Sequence, residues 1–280
     1  MVRKVMGVIG CPMLEDELIH GFEMDEGEKT LFVIDNIPSS SLRAKMDSKG
    51  IPYSLVSEDD AADGRVGYSD GFNILILMNR LGLHADPKAL REKVEEQVRR
   101  ISPRVDSIAL YYGLCGNFGW DMTQWARDNG LKPTEMFRDS AGRICDDCIG
   151  AAIGGGARYL ELQKTYFGMF YVIPAIAHNW KDFLDDGSAT DAARNLPDDL
   201  KDELDIHSDE DYIRWMFRTC GYTNMVKMDT GLADKELFEK EFEALCERME
   251  LKPITIGDGW LTLQPAEDIY WRSKENAIDS

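Results

Sequence analysis

The sequence predicts an α/β protein with a mainly parallel open sheet and helices on both faces, Rossmann-like or flavodoxin-like in kind. Three observations predict it. Short apolar runs recur along the chain, among them VMGVIG at 5–10, TLFVI at 30–34 and VDSIALYY at 105–112. Stretches with apolar residues at helical spacing stand between them. Cysteine or glycine directly follows two of the runs, at Gly10-Cys11 and at Gly113-Leu114-Cys115-Gly116, where strand ends turn tightly. The 280 residues read as one α/β domain, 1–280, with sub-lobes 1–140 and 141–280 as an option and an acidic exposed insertion near 182–210.

The first run, Val5–Gly10, is expected to be a strand, and Leu14–Phe22 the helix after it. Thr30–Ile34 reads as a second strand. The serines at 39–41 cap a helix over Leu42–Ser48 that Gly50 stops. Pro52–Val56 reads as a third strand with an acidic loop after it, and Phe72–Leu81 suits a strand or a helix. Asp86 and Pro87 are placed as N-cap and first-turn proline of a helix running through Ala89–Ile101. Val105–Tyr112 is the clearest strand. A helix within Trp120–Gly130 and a short strand at Thr134–Phe137 follow. Cys145-Asp-Asp-Cys148 then opens a Gly/Ala-rich helix, Ile149–Gln163, in which Gly154-Gly155-Gly156 is a candidate break. Phe167–Ile173 reads as a strand, Tyr212–Cys220 and Lys235–Met249 as helices, and Ile254–Ile256 and Trp260–Leu263 as short closing strands.

A formal net charge of -19 repels phosphate backbones and anionic lipid, which argues against nucleic-acid and membrane partners. No apolar run is long enough to span a bilayer. The N-terminus lacks the apolar core of a signal peptide, so a cytoplasmic protein is expected. In that compartment six cysteines are thiols, metal ligands or redox groups rather than structural disulfides.

Three of them stand where ligands bind in open α/β sheets, beyond the carboxyl ends of strands. Cys11 follows the first strand, Cys115 the clearest one, and Cys148 a strand-to-helix turn. Thiolates suit zinc, copper(I) and iron–sulfur clusters, and a helix N-terminus would favour Cys148 as thiolate. Burial as small apolar side chains is the structural alternative. Asp146 and Cys145 join the candidate ligands, and Asp146 and Asp147 equally suit a helix N-terminus. Gly113, Gly116 and Asn117 after the strand, with Gly154 and Arg158 further on, are the candidate cofactor-binding residues. For Arg158 an ordinary ion pair is the alternative. Cys220, Cys246, Trp180 and Trp260 are expected to pack, and His178 to be structural although it follows a strand. Neither a P-loop nor a GxSxG elbow is present.

Several segments, taken in order, resemble the DUF1638 family. They are Cys11 with Leu14 and Glu17-Leu18, Gly82-Leu83-His84 with Pro87 and Leu90, and Tyr112-Gly-Leu-Cys-Gly-Asn117. Asp147-Cys148-Ile149, Gly154 with Arg158-Tyr159-Leu160, and Gly257-Asp-Gly-Trp260 complete the set. The resemblance implies an association with corrinoid-dependent methyltransferase systems, especially in methanogens, and places Cys11, Cys115 and Cys148 within the family's motifs. It also implies a histidine two residues before the last cysteine, where this chain has Asp146. A Cys₃His zinc site is thereby put in doubt. Cys₃ completed by Asp146, Cys145, water or substrate remains open.

Three functions are therefore expected in competition. The first is a zinc-binding enzyme or accessory protein of one-carbon, corrinoid-linked methyl metabolism, with corrinoid proteins or methyltransferases as partners. The second is an iron–sulfur or corrinoid handling module without turnover. The third is a thiol redox protein using Cys145 and Cys148. Catalytic residues and oligomeric state, including a homo-oligomer, stay open.

Overall fold

The computed structural model describes residues 2–181 and 194–280. The apolar run near the N-terminus forms β1 (Lys4–Gly10), buried along nearly its whole length. A strand hydrogen-bonded on both sides and covered on both faces needs such a continuous apolar run. Its neighbours are β4 (Phe72–Met78) and β5 (Ser107–Tyr111), both parallel to it. With β2 (Thr30–Ile34), β3 (Ser54–Val56) and β6 (Thr134–Met136) they make a six-stranded sheet of order β3-β2-β4-β1-β5-β6. Every pairing in it is parallel.

Alternate residues of these strands feed two cores, as the period of two requires. Val5, Ile9, Leu75, Leu77, Ile108 and Leu110 face α4 (Pro87–Ile101), which contributes Leu90, Val94 and Val98. Met6, Val8, Ile74, Ile76, Ala109 and Tyr111 face the other way, with α1 (Glu15–Met24) and α2 (Ser40–Ser48). Asp86 caps α4 by accepting from the amides of Lys88 and Ala89, with Pro87 in the first turn. The acidic stretch after β3 is a helix rather than a loop: α3 (Glu58–Asp63) starts at Ser57, which accepts from the Asp60 amide. Asp121 likewise caps α5 (Met122–Asp128).

The segment expected as one helix over Ile149–Gln163 is two, α6 (Cys148–Ile153) and α7 (Gly156–Thr165). Gly154 and Gly155 lie between them with φ of 84° and 96°, a region that residues bearing a Cβ seldom enter. A second parallel sheet follows, ordered β7-β8-β9, from β7 (Met169–Val172), β8 (Asn224–Lys227) and β9 (Lys252–Thr255). Around it lie α8 (Pro174–His178), α9 (Asp198–Leu204), α10 (Asp209–Thr219) and α11 (Lys235–Met249). Its apolar residues, Tyr171, Val172, Met225 and Val226 among them, belong to the same cluster as the α4 face of the first sheet. Of the acidic insertion expected at 182–210, residues 182–193 lie outside the described residues, and α9 occupies part of the rest.

Two further expectations are corrected. Trp260–Leu263 is not a strand; Asp258–Trp260 is a 3₁₀ turn leading to α12 (Gln264–Ile278). That last helix returns to the first sheet and packs Ala266, Ile269, Tyr270 and Ala277 into the core on the α1 side. Cys220 is exposed rather than packed, because it falls at the C-cap of α10, whereas Cys246 is buried.

Candidate functional site

From β1 the chain passes to β2 and β3 on one side of the sheet. From β5, hydrogen-bonded to β1, it passes to β6 on the other. Neighbouring strands whose continuations diverge leave a crevice beyond their carboxyl ends, where open α/β sheets bind ligands. Cys11 follows β1 directly, Cys115 lies in the loop after β5, and Cys148 begins α6 after β6. Three adjacent strands thus deliver the three cysteines to one end of the sheet.

Each is fixed differently. Cys11 donates its amide to the Tyr111 carbonyl and opens the short turn Pro12–Leu14. Cys115 has φ of 45°, a strained conformation for a residue with a side chain. It is held there by its amide, which donates to the Asp146 carbonyl at 2.7 Å, while the Leu114 amide donates to the Cys145 carbonyl at 3.0 Å. This close pairing of two loops requires Gly113, since a Cβ there would lie 2.7 Å from the Cys145 carbonyl oxygen and the Asp147 nitrogen. Asn117 secures the loop from the far side, donating to the Pro87 carbonyl at 2.8 Å. Cys148 follows Asp147, whose carboxylate caps α6 by accepting from the Gly150 amide at 2.8 Å.

The three cysteines line one cavity of about 600 Å³. Met13, Leu14, Leu114 and Ile149 line its floor, while Tyr159, Met169, Phe170, Tyr171 and Tyr222 come from α7 and the second sheet. Among the described residues that line it there is no Lys, Arg or His; Asp146 and Asp147 are its charged side chains. Burial pushes the Cys11 thiol up to about 12, with the charge of Cys115 adding to the effect, although the Met13 amide opposes it. Burial, then the Asp147 carboxylate, also pushes Cys115 up to about 12. Cys148 is raised well above its ordinary range by burial first, then by Asp147, Cys11, Cys115 and Glu17. Cys11 thus feels Cys115, Cys148 feels both, and all three are neutral. The helix-end effect expected to favour a Cys148 thiolate is outweighed by the loss of solvent.

The other candidates are distributed as follows. Asp146 and Gly116 line the cavity. The Asp146 carboxylate lies close to the backbone of Gly156, the first residue of α7, a placement that suits the helix-end role. Cys145 does not line the cavity; it is fully buried with Tyr111 and Phe137 in the core on the α1 side. Gly113 and Asn117 build the loop from behind, and Gly154 ends α6. Arg158 donates to the Gly259 carbonyl and lies 5.9 Å from the Trp260 ring centre, so it ties α7 to the chain ahead of α12. His178 bonds to Glu241 at 2.8 Å on a different cleft.

Two features escaped the sequence. One is the aromatic wall from the second sheet. The other is Glu17 on α1, only 6% exposed, whose carboxyl is pushed up to about 7 by burial and by Asp16, and whose charge reaches Cys148 and Tyr111.

Three sulfurs with a neighbouring carboxylate suit a soft or borderline ion in kind. As placed, no group of three His, Cys, Asp or Glu side chains among the described residues stands ready to hold a metal ion. Ligation therefore asks the three thiols to turn toward a common point.

Fold and cavity together define an α/β protein with a thiol-lined crevice at a topological switch point. The chain belongs to the DUF1638 family, described as a protein of unknown function, which it matches over residues 78–264. That span takes in Cys115 and Cys148 and leaves Cys11 outside. No curated protein and no solved structure matches the chain. No helix among the described residues is long and apolar enough to cross a membrane.

Proposed function

We propose that this cavity is a thiolate metal site, with Cys11, Cys115 and Cys148 as ligands and zinc as the ion. The carrying observation is that three thiols, placed after three neighbouring strands, line one cavity with no basic side chain in its described lining. A buried thiolate needs a compensating positive charge, and the described lining supplies none. The thiols are consequently held protonated, and binding would exchange their protons for the ion. Asp146 at the rim, water or substrate would take the fourth position, the open place that a reactive zinc site keeps. A zinc so held would act as a Lewis acid or activate a bound thiol. Apolar side chains surround the thiols, and the paired loops 113–116 and 145–147 keep Cys115 and Cys148 in place.

The setting proposed from family resemblance is one-carbon, corrinoid-linked methyl metabolism, as an enzyme or accessory protein, and the compartment proposed is the cytoplasm. Corrinoid proteins or methyltransferases would be its partners. The six cysteines, none of them paired with another, suit a reducing compartment. An iron–sulfur cluster usually asks for four thiolates, and only three cysteines line the cavity. A redox pair of Cys145 and Cys148 draws less support, since Cys145 is fully buried and does not line the cavity.

Elemental analysis of protein purified without a metal-affinity tag tests the proposal. About one zinc per chain is expected, and it should disappear in Cys11→Ser/Cys115→Ser/Cys148→Ser. Iron with labile sulfide, or cobalt, would replace zinc by the handling module. Metal-free protein with a reducible Cys145–Cys148 disulfide would replace it by redox chemistry.

A further inference from the structure

The cavity that the thiols line also has an aromatic side. Tyr159, Phe170, Tyr171 and Tyr222 wall it from the second sheet and α7, and Phe118, fully exposed, stands at its rim. The rings meet nearly at right angles: Tyr159 and Tyr171 at 76° with centres 5.5 Å apart, Phe170 and Tyr222 at 81° and 6.4 Å. Perpendicular rings form adjoining walls, as in an aromatic cage. We propose that this aromatic end binds a small organic cation, an ammonium or sulfonium head group, beside the thiols.

Four observations carry the proposal, which rests on the reading of this cavity as the working site. Aromatic faces attract cations, most strongly where water is excluded. The described lining holds two carboxylates, Asp146 and Asp147, and no base, so an anion would find nothing to pair with. The chain's net charge of -19 draws cations toward any such crevice. Finally, the Tyr171 hydroxyl is buried without a hydrogen-bond partner, in a residue only 6% exposed that lines the cavity. An unsatisfied buried hydroxyl is costly, and a polar group on the ligand would satisfy it. The metal reading adds a complementary charge, since three thiolates around a divalent ion leave one net negative charge at the other end.

Calorimetric titration of the full chain with choline and with its neutral isostere 3,3-dimethylbutan-1-ol tests this. Choline is expected to bind about tenfold tighter than the isostere, and Tyr171→Leu to weaken it by about tenfold. Tyr171→Phe, which keeps the ring, should retain most of the preference for the cation. In Cys11→Ser/Cys115→Ser/Cys148→Ser choline binding should persist within a few-fold, placing the cation at the aromatic end. Failure of the metal reading alone leaves that result standing. Absence of choline binding, equal binding of the isostere, or loss of binding in the triple serine variant would overturn the proposal.

Discussion

The amide of Cys115 donates to the carbonyl of Asp146 at 2.7 Å, and this bond joins the loop after β5 to the loop after β6. It holds Cys115 in a conformation with positive φ and keeps its thiol in the cavity that Cys148 also lines.

Gly113→Ala should separate these loops. The added Cβ meets backbone atoms at 2.7 Å rather than the far end of a flexible side chain, so the loops themselves must shift. A loss of about 1–3 kcal/mol is expected from such overpacking, with metal content falling more than stability does. Denaturant unfolding read beside elemental analysis checks both.

Glu17→Gln should stabilise the protein at alkaline pH. The carboxyl rises from 4.5 to about 7 through burial and the nearby Asp16. The folded state thus binds a proton that the unfolded state has lost, and stability falls as pH rises from 4.5 through 7. The variant should remove that slope and gain up to roughly 3 kcal/mol above pH 7. Unfolding free energies measured between pH 4 and 8 test it, and an unchanged slope would assign the titration to another group.

Asp25 behaves in the opposite sense. Burial would raise its carboxyl, but hydrogen bonds from Lys274, Tyr270 and the Gly27 amide outweigh that and hold it below its ordinary range. Its contribution is complete above the unfolded value, near 4, and is lost as pH falls through the lower folded value. Asp25→Asn leaves Lys274 without its charge partner and should cost about 3 kcal/mol at pH 7, with acid unfolding less steep. Thermal unfolding at pH 3 and 7 distinguishes this from a uniform loss.

Cys220 should alkylate ahead of the other cysteines. It is the exposed one, whereas Cys11, Cys115 and Cys145 are pushed up to about 12, chiefly by burial, and the thiolate is the reactive form. Peptide mapping after brief iodoacetamide treatment at pH 8 should find the label at Cys220, and Cys220→Ser should remove the fast phase.

The strands that lead to Cys11 and Cys115 were legible because β1 and β5 are nearly all apolar and stop at tight turns. What the sequence concealed depends on contacts between distant segments. Glu17 follows Glu15 and Asp16, an acidic first turn by pattern, yet the packing of α1 buries Glu15 and Glu17. The central strand of the second sheet, β8, has only Met225 and Val226 fully buried between polar neighbours, too short a run for periodicity to register. The aromatic wall it helps to position was hidden with it. In α12 the inward residues Ala266, Ile269, Tyr270, Ser273 and Ala277 do follow helical spacing. Mostly polar and charged residues between them mask the pattern.

Cobalt(II) titration of the metal-free 280-residue chain reads the thiolate site itself, because thiolate ligands to cobalt give charge-transfer absorption in the near ultraviolet. One cobalt per chain is expected, with a charge-transfer band that weakens in Cys11→Ser, in Cys115→Ser and in Cys148→Ser and is unchanged in Cys220→Ser. Absence of the band, or its survival in all three serine variants, would contradict a thiolate metal site at the β1/β5 crevice.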